Sequence, residues 1–137
     1  MTCRYMLDTD TASYVIRKRS PSVEQRLRQV LKTQACISMV TRAEIMFGLN
    51  KVPRESEIHQ RASDFFNVFG SLIWDVSAAE KYAELRFMLE RRGTPIGVHD
   101  TMIAAHAMAL GAVLITNNVR HFELVGPELK IENWHQD

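Results

Sequence analysis

The chain has 137 residues, of which 46% are hydrophobic and 24% charged, with a formal net charge of +1 at pH 7. This average balance excludes a fibrous, low-complexity or disordered protein, and a polycation that would coat nucleic acid indiscriminately. The length is that of one domain, 1–137, able to bury roughly two-thirds of its unfolded surface without structural metal or disulfides. No apolar run approaches the roughly 18 residues that a membrane span needs, and no segment has the form of a signal peptide, so a cytoplasmic protein is expected.

The first apolar run, Tyr5 to Leu7, leads into "DTDTASYV", two aspartates followed by a helical pattern. Residues 1–34 hold seven Lys or Arg against three acids, a basic third compatible with phosphate binding or with a solvated helix face. Further strand-like runs follow at Cys36–Ser38, Leu72–Val76, Ala112–Thr116 and Lys130–Trp134. Helical patterns separate them. Thr41 with Glu44, and Ser77 with Glu80, have capping-box spacing, while Gly93 and Gly111 supply helix stops. Cys3 and Cys36 match no zinc or redox spacing and are expected to pack as small hydrophobes in a reducing compartment.

Strands alternating with helices predict an α/β fold with a mainly parallel sheet, because parallel neighbours need crossover helices. All strands then end at one edge, where open α/β sheets place ligands. Asp8 follows the first strand and Thr116, Asn117 and Asn118 follow the fourth, so these positions share that edge.

Two chemistries compete for the carboxylates. "DTDTA" fits the D-x-D-x-T pattern of haloacid-dehalogenase-type phosphatases, with Asp8 attacking phosphorus and Asp10 as general acid. That site also needs an acidic pair after a later strand, where this chain has Asn117 and Asn118. The alternative is a hard divalent ion held by separated carboxylates, for which Asp8, Glu44 and Asp100 stand where helices begin. Each has a local explanation: Asp8 and Asp100 as N-caps, Glu44 as the partner of Thr41. Asp10 is likewise read as a helix cap. His99 is a hydrogen-bonding neighbour of Asp100, and His106, on an apolar helix, a satisfied core histidine.

The segments "MLDTD", "ISMVTRAEIMFGL", "GTPIGVHDTMIAAHA" and "LITNNVRHFELVGPELKIENW" together resemble the VapC-type toxins of the PIN-domain ribonuclease family. The resemblance runs from the first strand to the closing "ENW". It implies a PIN-like three-layer α/β domain with a central sheet of about five strands flanked by helices. It makes Asp8 and Asp100 the main metal ligands and Glu44 the third acid, binding or orienting the attacking water, with Mg²⁺ or Mn²⁺ as cofactor. A fourth polar position falls at Asn118, an amide where relatives often have an acid, and Asp10 stands where they commonly have Asn. The implied activity is endoribonuclease cleavage of structured RNA to 5′-phosphate and 3′-hydroxyl ends, with transfer RNA, initiator tRNA included, as substrate class. Arg17, Lys18, Arg19 and Arg120 are candidates for gripping RNA phosphates. The implied partners are a VapB-like antitoxin and a second copy of the chain, in a homodimer and toxin–antitoxin hetero-oligomer, with large apolar groups in "IMFGL" and "FFNVFG" as candidate interfaces. A degenerate PIN fold acting as a binding module is the non-enzymatic alternative.

Overall fold

The computed structural model describes residues 3–137. Five strands, β1 (Tyr5–Leu7), β2 (Ala35–Ser38), β3 (Gly70–Leu72), β4 (Val113–Ile115) and β5 (Ile131–Glu132), form one sheet in the order β3-β2-β1-β4-β5. Every pairing is parallel, with Met6 opposite Cys36 on one side and Leu114 on the other. The helices are α1 (Thr9–Ile16), α2 (Pro21–Gln29), α3 (Met39–Leu49), α4 (Ile58–Val68), α5 (Val76–Arg92), α6 (Val98–Leu110) and α7 (Val119–Phe122). Among the described residues no helix is long and apolar enough to cross a membrane.

The period-two alternation of a strand divides the core into two layers. Met6, Cys36 and Leu114 face α5 and α6, packing with Leu85, Leu89 and Ile103. Leu7, Ala35, Ile37 and Ile115 face the opposite way, against Ala12, Ile16, Val23, Ile45 and Phe65. Both faces of the sheet are therefore covered, as an all-parallel sheet requires. Gly93 and Gly111 end α5 and α6 at φ 72° and 68°, the left-handed conformation that glycine adopts without a Cβ clash.

Three local expectations are corrected. The third strand is Gly70–Leu72, earlier than Leu72–Val76: Ile73 and Val76 are exposed, the Trp74 indole donates to the Met102 carbonyl, and Asp75 caps α5 by accepting from Ala78 N–H. Ser77 thus lies inside the helix. Ser38, one turn ahead of Thr41, caps α3 through the Val40 N–H. Cys3 and Cys36 do pack in the core, but as a disulfide: the strand register brings their Cα atoms to 5.7 Å, inside the bridging range of roughly 4.4–6.8 Å.

The chain winds outward from β1 to β2 and β3, then crosses back to place β4 on the other side of β1. That reversal leaves a crevice beyond the carboxyl ends of β1 and β4.

Candidate active site

Asp8 leaves β1 and caps α1, its Oδ1 accepting from Thr11 N–H at 2.9 Å. It is buried, with the Thr116 side chain at the end of β4 close enough to favour its charged form. Burial raises its pKa to about 6, against the opposing hydrogen bonds from Thr116 and Thr11, and the nearby charge of Asp10 adds to the rise.

Glu44 lies in the middle of α3, since Ser38 caps that helix, so its carboxylate is not consumed by a capping box. Thr9 Oγ1 donates to Glu44 Oε1 at 2.6 Å, and His99 Nδ1 lies 3.1 Å from Oε2. Asp100 is likewise no cap: Gly97 holds that position at φ 94°, and Asp100 sits within the first turn of α6. Its Oδ2 lies 2.9 Å from His121 Nε2 of α7. Burial raises the Asp100 pKa, His121 opposes the rise, and the charges of Glu44 and Asp10 add to it. Asp100 therefore feels two other acids contributed by α3 and α1.

Asp10 is corrected from the capping role, which Asp8 fills; it is an exposed first-turn acid whose charge acts on both Asp8 and Asp100. Asn118 is exposed at the start of α7, where its backbone N–H donates to Thr116 Oγ1. The buried polar side chain at the end of β4 is Thr116. Arg120 neighbours His121 on α7, whereas Arg17, Lys18 and Arg19 follow the far end of α1, about 12 Å along the helix from Asp8 at 1.5 Å per residue. His106 matches expectation, buried with Nδ1 2.8 Å from Ser38 Oγ, whereas His99 pairs not with a local partner beside Asp100 but with Glu44 of α3.

Sequence reasoning missed Thr9 and His121 as partners of the acids, and put Thr116 at the ligand edge without giving it a role. Thr9 lies one residue beyond Asp8, and the buried hydroxyl after β4 was the available signal for Thr116. His121 is 21 residues from Asp100 and had no signal of its own.

The donor set suits a hard divalent cation: carboxylate oxygens from three helices, with like charges close enough to raise Asp100. Among the described residues, no three His, Cys, Asp or Glu stand at distances that hold one ion; Glu44 lies against His99 and Asp100 against His121.

Residues 5–126 match the sequence model of the PIN domain family. The chain is 34% identical over 131 residues to the "tRNA(fMet)-specific endonuclease VapC" of Salmonella typhimurium, covering 96% of this chain and 98% of that protein. It is 34% identical to "Ribonuclease VapC2" of Rickettsia felis, covering 95% and 97%. Among solved structures, DNA-bound VapBC from Salmonella typhimurium superposes with a TM-score of 0.88 at 34% identity, covering 97% of this chain and 99% of the other. VapBC2 from Rickettsia felis, bound to a DNA fragment of its promoter, gives 0.86 at 32% identity, covering 95% and 98%. Sequence and backbone agree over nearly the whole length, and the chain belongs to the PIN domain ribonuclease family, in its VapC type.

Proposed function

We propose that this chain, a single PIN domain over 1–137, is the toxin of a toxin–antitoxin pair: a cytoplasmic endoribonuclease dependent on Mg²⁺ or Mn²⁺ that cuts structured RNA. The observation that carries this reading is the gathering of acids from three helices at the carboxyl edge of the sheet, where Asp10 acts on Asp8 and on Asp100, and Glu44 acts on Asp100. Transfer RNA, initiator tRNA included, is the substrate class, supported by the name of the Salmonella relative, a tRNA(fMet)-specific endonuclease. A VapB-like antitoxin is the restraining partner, supported by the VapBC assemblies to which the fold is similar. A homodimer within a larger toxin–antitoxin complex is the working assembly.

A hard divalent cation, when bound, supplies water activation and neutralises charge on the scissile phosphate. Asp8 and Asp100 would hold it. Glu44, fixed by Thr9 and His99, binds or orients the attacking water. Thr116 holds Asp8 in place, and Asn118 contributes a neutral amide at the rim rather than a fourth charge. Arg120, next to His121 on α7, meets phosphate, and Arg17, Lys18 and Arg19 do so for a longer RNA. Cleavage leaves a 5′-phosphate and a 3′-hydroxyl.

Sequencing RNA ends after induced expression, with Asp8→Ala as control, tests the proposal. New 5′-phosphate ends confined to the wild type are expected. Identical end profiles would remove the nuclease reading and leave a degenerate PIN binding module. The phosphatase alternative is not favoured, since the strand facing Asp8 ends in Thr116, Asn117 and Asn118 with no acidic pair.

A further inference from the structure

Ser38 ends β2, and the register that pairs Leu7 with Ile37 sets it level with Asp8, just beyond β1. Its buried hydroxyl oxygen accepts from Val40 N–H and lies 2.8 Å from Nδ1 of His106, which is 2% exposed in the middle of α6. Burial lowers the His106 pKa, against the charge of Asp75, so the imidazole is neutral at pH 7. Val40 N–H fills one lone pair of the Ser38 oxygen, which leaves the hydroxyl proton to donate to Nδ1. This directional bond stands among apolar neighbours: Ile103, Ala104, Ala105 and Ala107 of α6 are all buried in the core. Apolar contact is non-directional, so it holds the helix against the sheet and only weakly resists sliding. A buried polar pair does resist it, because a shift that parts the two strands a hydroxyl and an imidazole away from water.

Building on the nuclease reading above, we propose that His106 is a positioning residue: through Ser38 it pins α6 in register with β2 and α3, and so sets where Asp100 stands relative to Asp8 and Glu44. All three acids hang from this one junction. Asp8 is level with Ser38 on the next strand, Glu44 rides on the helix that Ser38 caps, and Asp100 rides on the helix that His106 holds. His99 and His106 lie two turns apart on α6, on the side that meets α3. Of their two contacts, Glu44–His99 is exposed and open to exchange with water, whereas Ser38–His106 is buried. The buried contact therefore fixes the register and the exposed one follows it. His106 stands about 9 Å along α6 from Asp100, at 1.5 Å per residue, and it is too deeply buried to touch RNA itself.

Three variants test this. His106→Leu keeps the apolar bulk and removes the bond, His106→Gln carries its amide near the position of Nε2 instead, and His106→Asn keeps a polar group near that of Nδ1. Trp74, whose indole donates to the Met102 carbonyl of α6, reports the placement of that helix without metal or RNA. In the metal-free protein the Trp74 indole resonance is expected to move in His106→Leu and His106→Gln, and to return towards wild type in His106→Asn. Mn²⁺ affinity by calorimetry, and kcat for RNA at saturating Mn²⁺, should each fall about ten- to a hundredfold in the first two variants, the usual cost of losing a residue that orients metal ligands from behind. KM should change by less than about threefold, since no contact with RNA is lost, and His106→Asn should recover most of both losses. Wild-type Mn²⁺ affinity and kcat in His106→Leu and His106→Gln would overturn the proposal, whatever the resonance does. Losses that His106→Asn does not recover would overturn it too, by reducing His106 to core packing. If the resonance and the affinity move as expected while no RNA is cut even by wild type, the pin stands and the nuclease reading fails.

Discussion

Thr9 Oγ1 donates to Glu44 Oε1 across 2.6 Å, tying the first turn of α1 to the middle of α3. The bond fixes one oxygen of a carboxylate whose other oxygen faces an exposed, exchangeable histidine. Thr9→Val keeps the shape and removes the donor. Its stability should fall by only about 1 kcal/mol, while kcat/KM for RNA should fall about ten- to a hundredfold as Glu44 loses its orientation. Thr9→Ser should restore most of the activity. Equal rates for wild type and Thr9→Val would show that Glu44 needs no such anchor.

Asp8 makes stability depend on pH in an unusual direction. Burial lifts its folded pKa to about 6, above the unfolded value, so the folded protein keeps a proton that the unfolded chain gives up. Stability from this group is therefore greatest below about pH 4 and declines as pH rises towards 6, by at most about 3 kcal/mol. Asp8→Asn retains an oxygen for the Thr11 N–H and carries no charge. In chelator at pH 7 it should resist denaturant better than wild type, and its stability should change less between pH 4 and 6. Parallel pH profiles for the two proteins would contradict the assignment.

Asp10 acts on Asp8 and Asp100 through its charge alone. Asp10→Asn should therefore leave the melting temperature of the metal-free protein nearly unchanged. It should weaken divalent-ion binding by about fivefold, the effect of roughly 1 kcal/mol from a solvent-screened charge. Calorimetric titration with Mn²⁺ measures this directly, and an unaltered affinity would return Asp10 to a purely surface role.

The Cys3–Cys36 bridge closes a 33-residue separation spanning β1, α1 and α2. Chain-entropy reasoning gives such a loop about 3 to 4 kcal/mol of stabilisation. Reductant should lower the urea midpoint of wild type by a corresponding amount and leave a Cys3→Ser/Cys36→Ser variant unmoved. No response in wild type would mean that the cysteines are thiols in solution.

How far the sequence can be read depends on the range of each interaction. β1, β2 and β4 were legible because two buried faces demand apolar runs such as "YML" and "VLI", and the edge strand β5 fell within the run Lys130–Trp134. The end of β3 was not, because Ile73 and Val76 look like strand residues, yet the Asp75 cap and the Trp74 indole bond draw that segment out of the sheet. Asp8, Glu44 and Asp100 were visible as acids near helix starts, and Asp8 does cap α1, but the freedom of Glu44 and Asp100 from capping depended on Ser38 and Gly97 winning those positions. The partners that hold them, Thr116 and His121 above all, come from distant sequence and meet them only through the strand order. The cysteine pairing failed for the same reason: nothing local announces that residues 3 and 36 sit on adjacent strands.

The placement of β4 beside β1 has a consequence for the chain during its synthesis. The central strand emerges from the ribosome first, yet it stays an open edge until more than one hundred further residues have been made. Asp8, Glu44 and Asp100 all precede Thr116 and His121, so a nascent or stalled chain carries the acids without the hydroxyl and imidazole that hold them. The acid cluster is thereby held in its final arrangement only after β4 and α7 have been made and have docked beside β1.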